Sequence, residues 1–251
     1  VPLRDHRRFG PRDAGGGGLA MRRARRVYSQ SGDRIEEVGP PVEVRRYGPV
    51  TRVNHWITAL SLILLLLSGL ALFDPALFFL TGLFGGGQTT RWIHPIIGIV
   101  LFVSFFILFV RLFRLNLPRR EDAVWVSHFK DVLKDEEEKL PELGKYNAGQ
   151  KFIFWAMSGL ILVLIVTGLM MWEQYTAHLV SIPVRRVATL IHAVAAVLII
   201  CVFILHVYAA FWTRGTLSAM TRGTVTGGWS WKHHRKWLKE LARRRQSDPA
   251  E

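Results

Sequence analysis

The stretch from Val187 to Trp212 constrains this chain more than any other. It reads Val187-Ala-Thr-Leu-Ile-His192-Ala-Val-Ala-Ala-Val-Leu-Ile-Ile-Cys201-Val-Phe-Ile-Leu-His206-Val-Tyr-Ala-Ala-Phe-Trp212, without one Asp, Glu, Lys or Arg. A membrane-spanning helix needs about 20 mainly apolar residues, and this run exceeds that. Two histidines interrupt it, fourteen residues apart. That interval is two heptads, so in a left-handed bundle both imidazoles face the same seam. At 1.5 Å per residue they stand about 21 Å apart along the axis, one toward each membrane face. Coordinating groups inside a span are rare and mark function.

Half of the residues are apolar, and they concentrate in four blocks with charge crowded into the gaps. Such a distribution predicts an all-α integral membrane protein, a four-transmembrane-helix bundle, with spans at about 55–73, 93–113, 151–172 and 187–212. The run Leu60-Ser-Leu-Ile-Leu-Leu-Leu-Leu67 is apolar all round, as a lipid-facing helix is. Trp56, Trp92, Trp155, Trp172 and Trp212 fall near span ends, where an aromatic belt belongs. The formal net charge of +14 could signal nucleic acid, but the bases flank spans and fit topology and anionic lipid, so no nucleic-acid partner is expected. The single cysteine, Cys201, allows no disulfide, no iron–sulfur cluster and no covalent haem attachment. It reads as a small packing residue.

Residues 1–48 form a basic N-terminal tail, with Gly15-Gly16-Gly17-Gly18, Pro40-Pro41 and no apolar periodicity, and read as mostly disordered. Its acids (Asp33, Glu36, Glu37) argue against a transit peptide, and Met21 is a candidate start. Residues 49–213 hold the four spans, and 214–251 form a basic C-terminal tail. Trp125 to Leu133 predicts a short amphipathic helix at the interface. Lys and Arg crowd the N-terminal tail, the 114–149 segment and the C-terminal tail, whereas the 74–91 loop has only Arg91 and the 173–187 loop only Arg185 and Arg186. Both termini are therefore expected in the cytoplasm.

That orientation sorts four histidines by depth. His94 opens the second span and His192 is early in the fourth, so both lie at the outer level; His55 opens the first span and His206 is late in the fourth, so both lie at the inner level. Two imidazoles from facing helices at one depth are what a six-coordinate b haem requires, so two haem b groups are expected, ligated by His94 with His192 and by His55 with His206. Gly69, Gly98 and Ala196 on the same seams leave room for a flat macrocycle and equally allow close helix packing. Arg52 and Arg91, each three residues before a histidine, are candidates for haem propionates or simple topology charges. Zinc or copper would also accept imidazole, but no carboxylate or thiolate joins these histidines. His128, His178, His233 and His234 read as solvated, with His233-His234 as a weaker site candidate.

The residues resemble the cytochrome b (gamma) subunit of membrane-bound respiratory formate dehydrogenase. The likeness rests on Arg52-Val-Asn-His55-Trp56, Ile93-His94-Pro95, Gly144-Lys-Tyr-Asn147-Ala-Gly149-Gln150-Lys151, Leu190-Ile-His192-Ala193, Leu205-His206-Val-Tyr-Ala-Ala-Phe-Trp212 and Lys232-His233-His234, in that order. It covers about Pro49 to Trp237; the long N-terminal tail departs from it. The resemblance implies an electron-transfer subunit of the bacterial cytoplasmic membrane, partnered by an iron–sulfur (beta) subunit on the outer face and a molybdenum- or tungsten-containing catalytic (alpha) subunit that oxidises formate. It implies electrons entering at the outer haem, passing to the inner one and reducing menaquinone or ubiquinone near the cytoplasmic side. The quinone would dock at Asn147, Gly149 and Gln150, beside the haem of His206. Asn147 and Gln150 can hydrogen-bond a carbonyl and Gly149 admits close backbone approach, while Asn147 also suits a helix N-cap. The alternatives are the cytochrome b subunit of a nickel–iron hydrogenase or thiosulfate reductase, or a membrane anchor without redox function.

Overall fold

The computed structural model describes residues 26–28, 34–36, 42–134 and 140–247. Contacts divide the chain into residues 1–41 and 42–251. In the first unit, β1 (Arg26–Tyr28) pairs antiparallel with β2 (Arg34–Glu36). The tail reading missed this pairing; Val27, Tyr28 and Ile35 are residues that favour strands. Met21, the glycine run and Pro40-Pro41 lie outside the described residues.

In the second unit, β3 (Glu43–Arg45) precedes α1 (Pro49–Phe73), α2 (Gly87–Leu112), α3 (Arg120–Ser127), α4 (Phe129–Leu133), α5 (Ala148–Met171) and α6 (Ile182–Trp212); then come α7 (Thr216–Thr221), β4 (Thr224–Thr226), α8 (Gly227–His233) and α9 (Arg235–Ser247). The four long helices α1, α2, α5 and α6 are each apolar enough to cross a membrane. Only 11–22% of their apolar windows is buried within the protein, so most of that surface faces outward, as lipid-exposed helices require. Each begins three to six residues before its apolar run, because the polar first turns are also helical: Pro49 opens α1 and Asn147 caps α5. The 74–91 segment, expected as a loop, holds a 3-10 helix, Pro75–Phe84. It turns into α2 through Gly85 (φ 82°) and Gly86 (φ 97°), a conformation that favours glycine.

Helices α1 and α2 pack as one hairpin, α5 and α6 as another, and the hairpins meet through α2–α5 and α1–α6. The core between them is Leu62, Leu101, Met157, Ile161 and Ile199. Leu62 is one heptad after His55, Leu101 one after His94, and Ile199 one after His192 and one before His206. An apolar layer therefore separates the two histidine levels. Asn54 Nδ2 donates to Ser104 O (2.9 Å) and Thr58 Oγ1 to Ser104 Oγ (3.1 Å), tying α1 to α2 by interhelical bonds worth about 0.6 kcal/mol each.

One bundle end, here the loop end, carries residues 74–86 and 172–181. The opposite tail end carries a folded cap in which β3 pairs antiparallel with β4. Ala219, Val225, Trp229 and Trp237 form the cap core, with Val44, Tyr47 and Leu241 against it. Residues 42–48 and much of 214–244 are thus packed structure, where the sequence suggested only tails. Strand β3 is only three residues long, and its partner lies far along the chain, so its alternation was too short to read as a strand. The expected helix over Trp125–Leu133 is split between α3 and α4 at His128, whose ring Nδ1 donates to Val124 O (2.9 Å). Lys151 at the start of α5 pairs with Asp122 of α3 (2.6 Å), which seats α3 against the span.

Candidate functional site

The loop-end level draws on all four spans. His94 on α2 and His192 on α6 each stand in the half of their helix nearer the loop end. Ser68 of α1 places its Oγ 2.7 Å from His94 Nδ1 and 2.8 Å from Leu64 O. A carbonyl only accepts, so the single hydroxyl hydrogen goes to Leu64 and the oxygen accepts Nδ1–H of His94. Thr167 of α5 repeats the arrangement, 2.8 Å from His192 Nδ1 and 2.7 Å from Val163 O. Both rings are fixed with the proton on Nδ1, which leaves Nε2 as the metal-competent nitrogen. The next residue is glycine in both cases. A Cβ on Gly69 would stand 3.3 Å from His94 Cε1, and one on Gly168 would stand 3.4 Å from His192 Cε1.

At the tail end, the rings of His55 on α1 and His206 on α6 are 6.3 Å apart between centroids and tilted by 49°. Two imidazole–metal bonds of about 2.0 Å, with about 1.2 Å from each nitrogen to its ring centre, sum to about 6.4 Å. The separation therefore suits one ion clamped between two imidazoles. Trp56 meets His55 edge-on at 5.6 Å and donates its Nε1–H to Met220 O at 3.1 Å. His55 Nδ1 is buried without a hydrogen-bond partner.

Among the described residues no group of three or more His, Cys, Asp or Glu could hold a metal ion. A bare zinc or copper ion needs three or four protein ligands and has no cage here. A haem supplies four nitrogens itself and asks the protein for axial ligands only, which is what each level offers. Nothing lies within 4 Å of where a Cβ on Gly98 would be, so the α2 seam is open one turn past His94. The residues fit haem.

Under the cap lies a cavity of about 790 Å³ walled by Trp125, Asn147, Gln150, Trp212, Trp229 and His233, among others. Small-molecule sites run from about 300 to 1,000 Å³. Asn147 Oδ1 accepts from Gln150 N (2.8 Å) and Gln150 Oε1 from Asn147 N (3.1 Å), a reciprocal cap on α5. The cap uses both amide oxygens, so what each side chain has to offer a ligand is its NH2 donor. The space over Gly149 is filled by Trp125, whose Cη2 would be 3.3 Å from an added Cβ. Glycine there admits an indole of the cavity wall, a different use from the expected backbone approach to a ligand. His206 lies with His55, at the neighbouring level.

Arg52 Nη1 donates to Thr221 O (2.6 Å), its Nε is buried without a partner, and Arg91 is exposed near the start of α2. His178 is exposed, and Cys201 lies on the outward face of α6, away from the packed core expected for it. His234 corrects the solvated reading: it is 1% exposed, with Nδ1 2.7 Å from Gly144 O and Nε2 3.4 Å from Arg46 Nη2. Burial, then the Arg46 charge, pushes its pKa well below the ordinary imidazole value. Arg46 is itself buried, with its guanidinium over Trp229 (5.0 Å), Trp237 (5.1 Å), Tyr146 (5.6 Å) and Tyr47 (5.8 Å). Burial lowers the Lys145 pKa, with Arg46 adding to it, and burial raises that of Tyr146.

Sequence reasoning missed Ser68, Thr167 and Gly168, and it missed the cavity wall at Trp125 and Trp229. For the first three a signal existed. Ser68-Gly69-Leu70 precedes His94 by 26 residues and Thr167-Gly168-Leu169 precedes His192 by 25, an internal repeat of hydroxyl, glycine and histidine.

Four apolar spans carrying imidazoles near both bundle ends are the frame of a membrane cytochrome b. The chain belongs to the prokaryotic cytochrome b561 family, which matches residues 46–223, and family membership implies haem b and a multi-pass protein of the bacterial inner membrane. It is 41% identical over 196 residues to the cytochrome b556(fdo) subunit of formate dehydrogenase from Escherichia coli K12, covering 78% of this chain and 92% of that one. It is 40% identical over 192 residues to the nitrate-inducible cytochrome b556(Fdn) subunit of the same organism, covering 76% and 88%. The formate dehydrogenase cytochrome b556 subunit of Haemophilus influenzae is 35% identical over 204 residues, covering 81% and 86%.

Proposed function

We propose that this chain is the dihaem membrane subunit of a respiratory formate dehydrogenase, carrying electrons from an iron–sulfur subunit on the outer face to a quinone reduced near the cytoplasmic side. Formate oxidation belongs to a molybdenum- or tungsten-containing partner, since one cysteine cannot build the clusters such a relay needs. The bases of the cap and of the 114–149 segment favour a cytoplasmic tail end. The loop end is then the outer face.

His94 and His192 hold the outer haem, and His55 and His206 hold the inner one. Haem iron at these two places supplies reversible one-electron transfer at two depths. Leu62, Leu101, Met157, Ile161 and Ile199 keep water out of the layer between the levels. Arg52, whose Nε has no partner, and Arg91 offer charge to propionates at the two membrane faces. Asn147 and Gln150 would bind and orient a quinone carbonyl through their NH2 groups, while Trp125, Trp212 and Trp229 line the space its ring would take. The cavity opens beneath the cap, so protons for quinone reduction come from the cytoplasm while electrons arrive from the other side, and turnover charges the membrane.

The observation that carries this reading is the pairing of His55 with His206 at 6.3 Å. A reduced-minus-oxidised spectrum with pyridine haemochrome quantification tests it on the purified complex. Two b haems per chain are expected, with His206→Ala losing one haem together with quinone reduction and His192→Ala losing the other. One haem or none in the native chain overturns it.

A further inference from the structure

Ser68 and Thr167 stand on different hairpins, 26 and 25 residues before the histidine each one touches. Both are buried, at 0% and 6% exposure. Each is followed by a glycine whose missing Cβ lets the imidazole lie against the helix. Each sends its own hydrogen to the carbonyl four residues earlier in its helix, at 2.8 and 2.7 Å. Such a back-bond slightly weakens a helix and is otherwise an idle way to satisfy a hydroxyl. Here it does something else. A hydroxyl that donates to a carbonyl is polarised and becomes a better acceptor. That acceptor faces the Nδ1–H of the histidine.

We propose that Ser68 and Thr167 are paired positioning residues for the axial ligands of the loop-end haem, setting both the orientation of the two imidazoles and the reduction potential of the iron between them. The inference rests on the haem reading given above. A ring N–H held in a strong hydrogen bond pushes electron density toward the opposite nitrogen and raises its basicity as a ligand. A more basic axial pair favours ferric over ferrous iron and lowers the potential. Two hydroxyls on opposite hairpins apply this to both ligands of one haem. The tail-end pair lacks the device on at least one side, because His55 Nδ1 has no partner. The chain thereby separates its two haems in potential using neutral groups alone, without placing a charge inside the membrane.

The test uses the assembled full-length protein. Ser68→Ala, Thr167→Val and the double variant remove the hydroxyls; Ser68→Thr and Thr167→Ser keep them while changing the packing. Haem content comes from pyridine haemochrome, midpoint potentials from redox titration at the α-band, and ligand geometry from the low-spin ferric EPR signals. In the double variant one midpoint potential is expected to rise and the other to stay, with a smaller rise in each single variant. The hydroxyl-preserving swaps are expected to leave both potentials and both EPR signals at native values. If a deletion variant fails to hold the loop-end haem while its swap retains both, the inference is also supported. Unchanged potentials in the double variant overturn it, as do swaps that shift the potential as far as the deletions, or deletions that lose both haems. The underlying haem reading fails separately, through a native chain without two b haems or a His94→Ala variant that keeps both.

Discussion

At the loop end, His94 and His192 each donate a ring N–H to a hydroxyl on the neighbouring helix, and a bare glycine backs each ring. At the tail end, His55 has a buried Nδ1 with no partner and leans instead on the edge of Trp56. Trp56 is in turn bonded to Met220 of α7, and Arg52, one turn before His55, to Thr221 beside it. The loop-end rings are thus held by groups on the spans, whereas His55 is held through the cap. A ring fixed by a hydrogen bond from a packed span is insulated from what happens in the loops. A ring buttressed through the cap feels every movement of the cap, and the cavity assigned to quinone lies under it. The two levels are a matched pair in composition and opposites in what they are coupled to.

The comparison breaks most visibly at the glycines. Gly69→Val and Gly168→Val each force a branched side chain into a space where even a Cβ would sit 3.3 or 3.4 Å from an imidazole carbon. Overpacking of this kind costs about 1–3 kcal/mol and is relieved here only by swinging the ring out of line. Each variant is expected to lose the loop-end haem and keep the tail-end one, giving half the native pyridine haemochrome. Loss of both haems would show that the levels are not independent. A smaller effect is expected from Trp56→Leu. It deletes an edge-on ring contact and the bond to Met220 O, together about 1 kcal/mol for a side chain 47% exposed. The low-spin EPR signal of the tail-end haem should broaden or shift while the loop-end signal stays. A change confined to the loop end would contradict the buttressing role.

What could be read from the chain follows the same division. The four spans were legible because their apolar runs are long enough to cross a membrane, and helix rise and heptad period convert spacing within them into height and face. The Ser68-Gly69 and Thr167-Gly168 repeat was equally present in the letters, yet a serine or threonine in a span more often bonds its own helix, so only its recurrence ahead of each histidine marks these two out. The cap was not legible. Strand β3 pairs with β4 across some 180 residues of chain, and the aromatic residues around Arg46 come from four separate segments. His234 reads as one more solvated base in a basic tail; only the convergence of Gly144 and Arg46 on its two nitrogens makes it a buried neutral residue. Apolar length finds spans, but it cannot find an ion wrapped in rings.

That buried imidazole gives the mildest test of the contrast. His234 Nε2 accepts from Arg46, so its proton sits on Nδ1 and goes to Gly144 O; His233 is a further titratable group acting on it. Its folded pKa is depressed below the unfolded value of 6.5 by burial and by Arg46. Below 6.5 the unfolded cap binds a proton that the folded cap refuses, so stability present above that pH is lost as the pH falls, by at most about 1.4 kcal/mol per unit. Amide exchange in α8, α9 and the β3–β4 pair should therefore quicken on the acid side. His234→Gln, which keeps one donor and one acceptor but cannot titrate, should flatten the dependence. Because Met220 and Thr221 belong to the same cap, the acid-side loosening should reach the EPR signal of the His55–His206 haem. It should leave that of the His94–His192 haem untouched, since the bonds described at that level run to Ser68 and Thr167 on the spans; equal acid sensitivity at both levels would mean that hydroxyl anchoring insulates nothing.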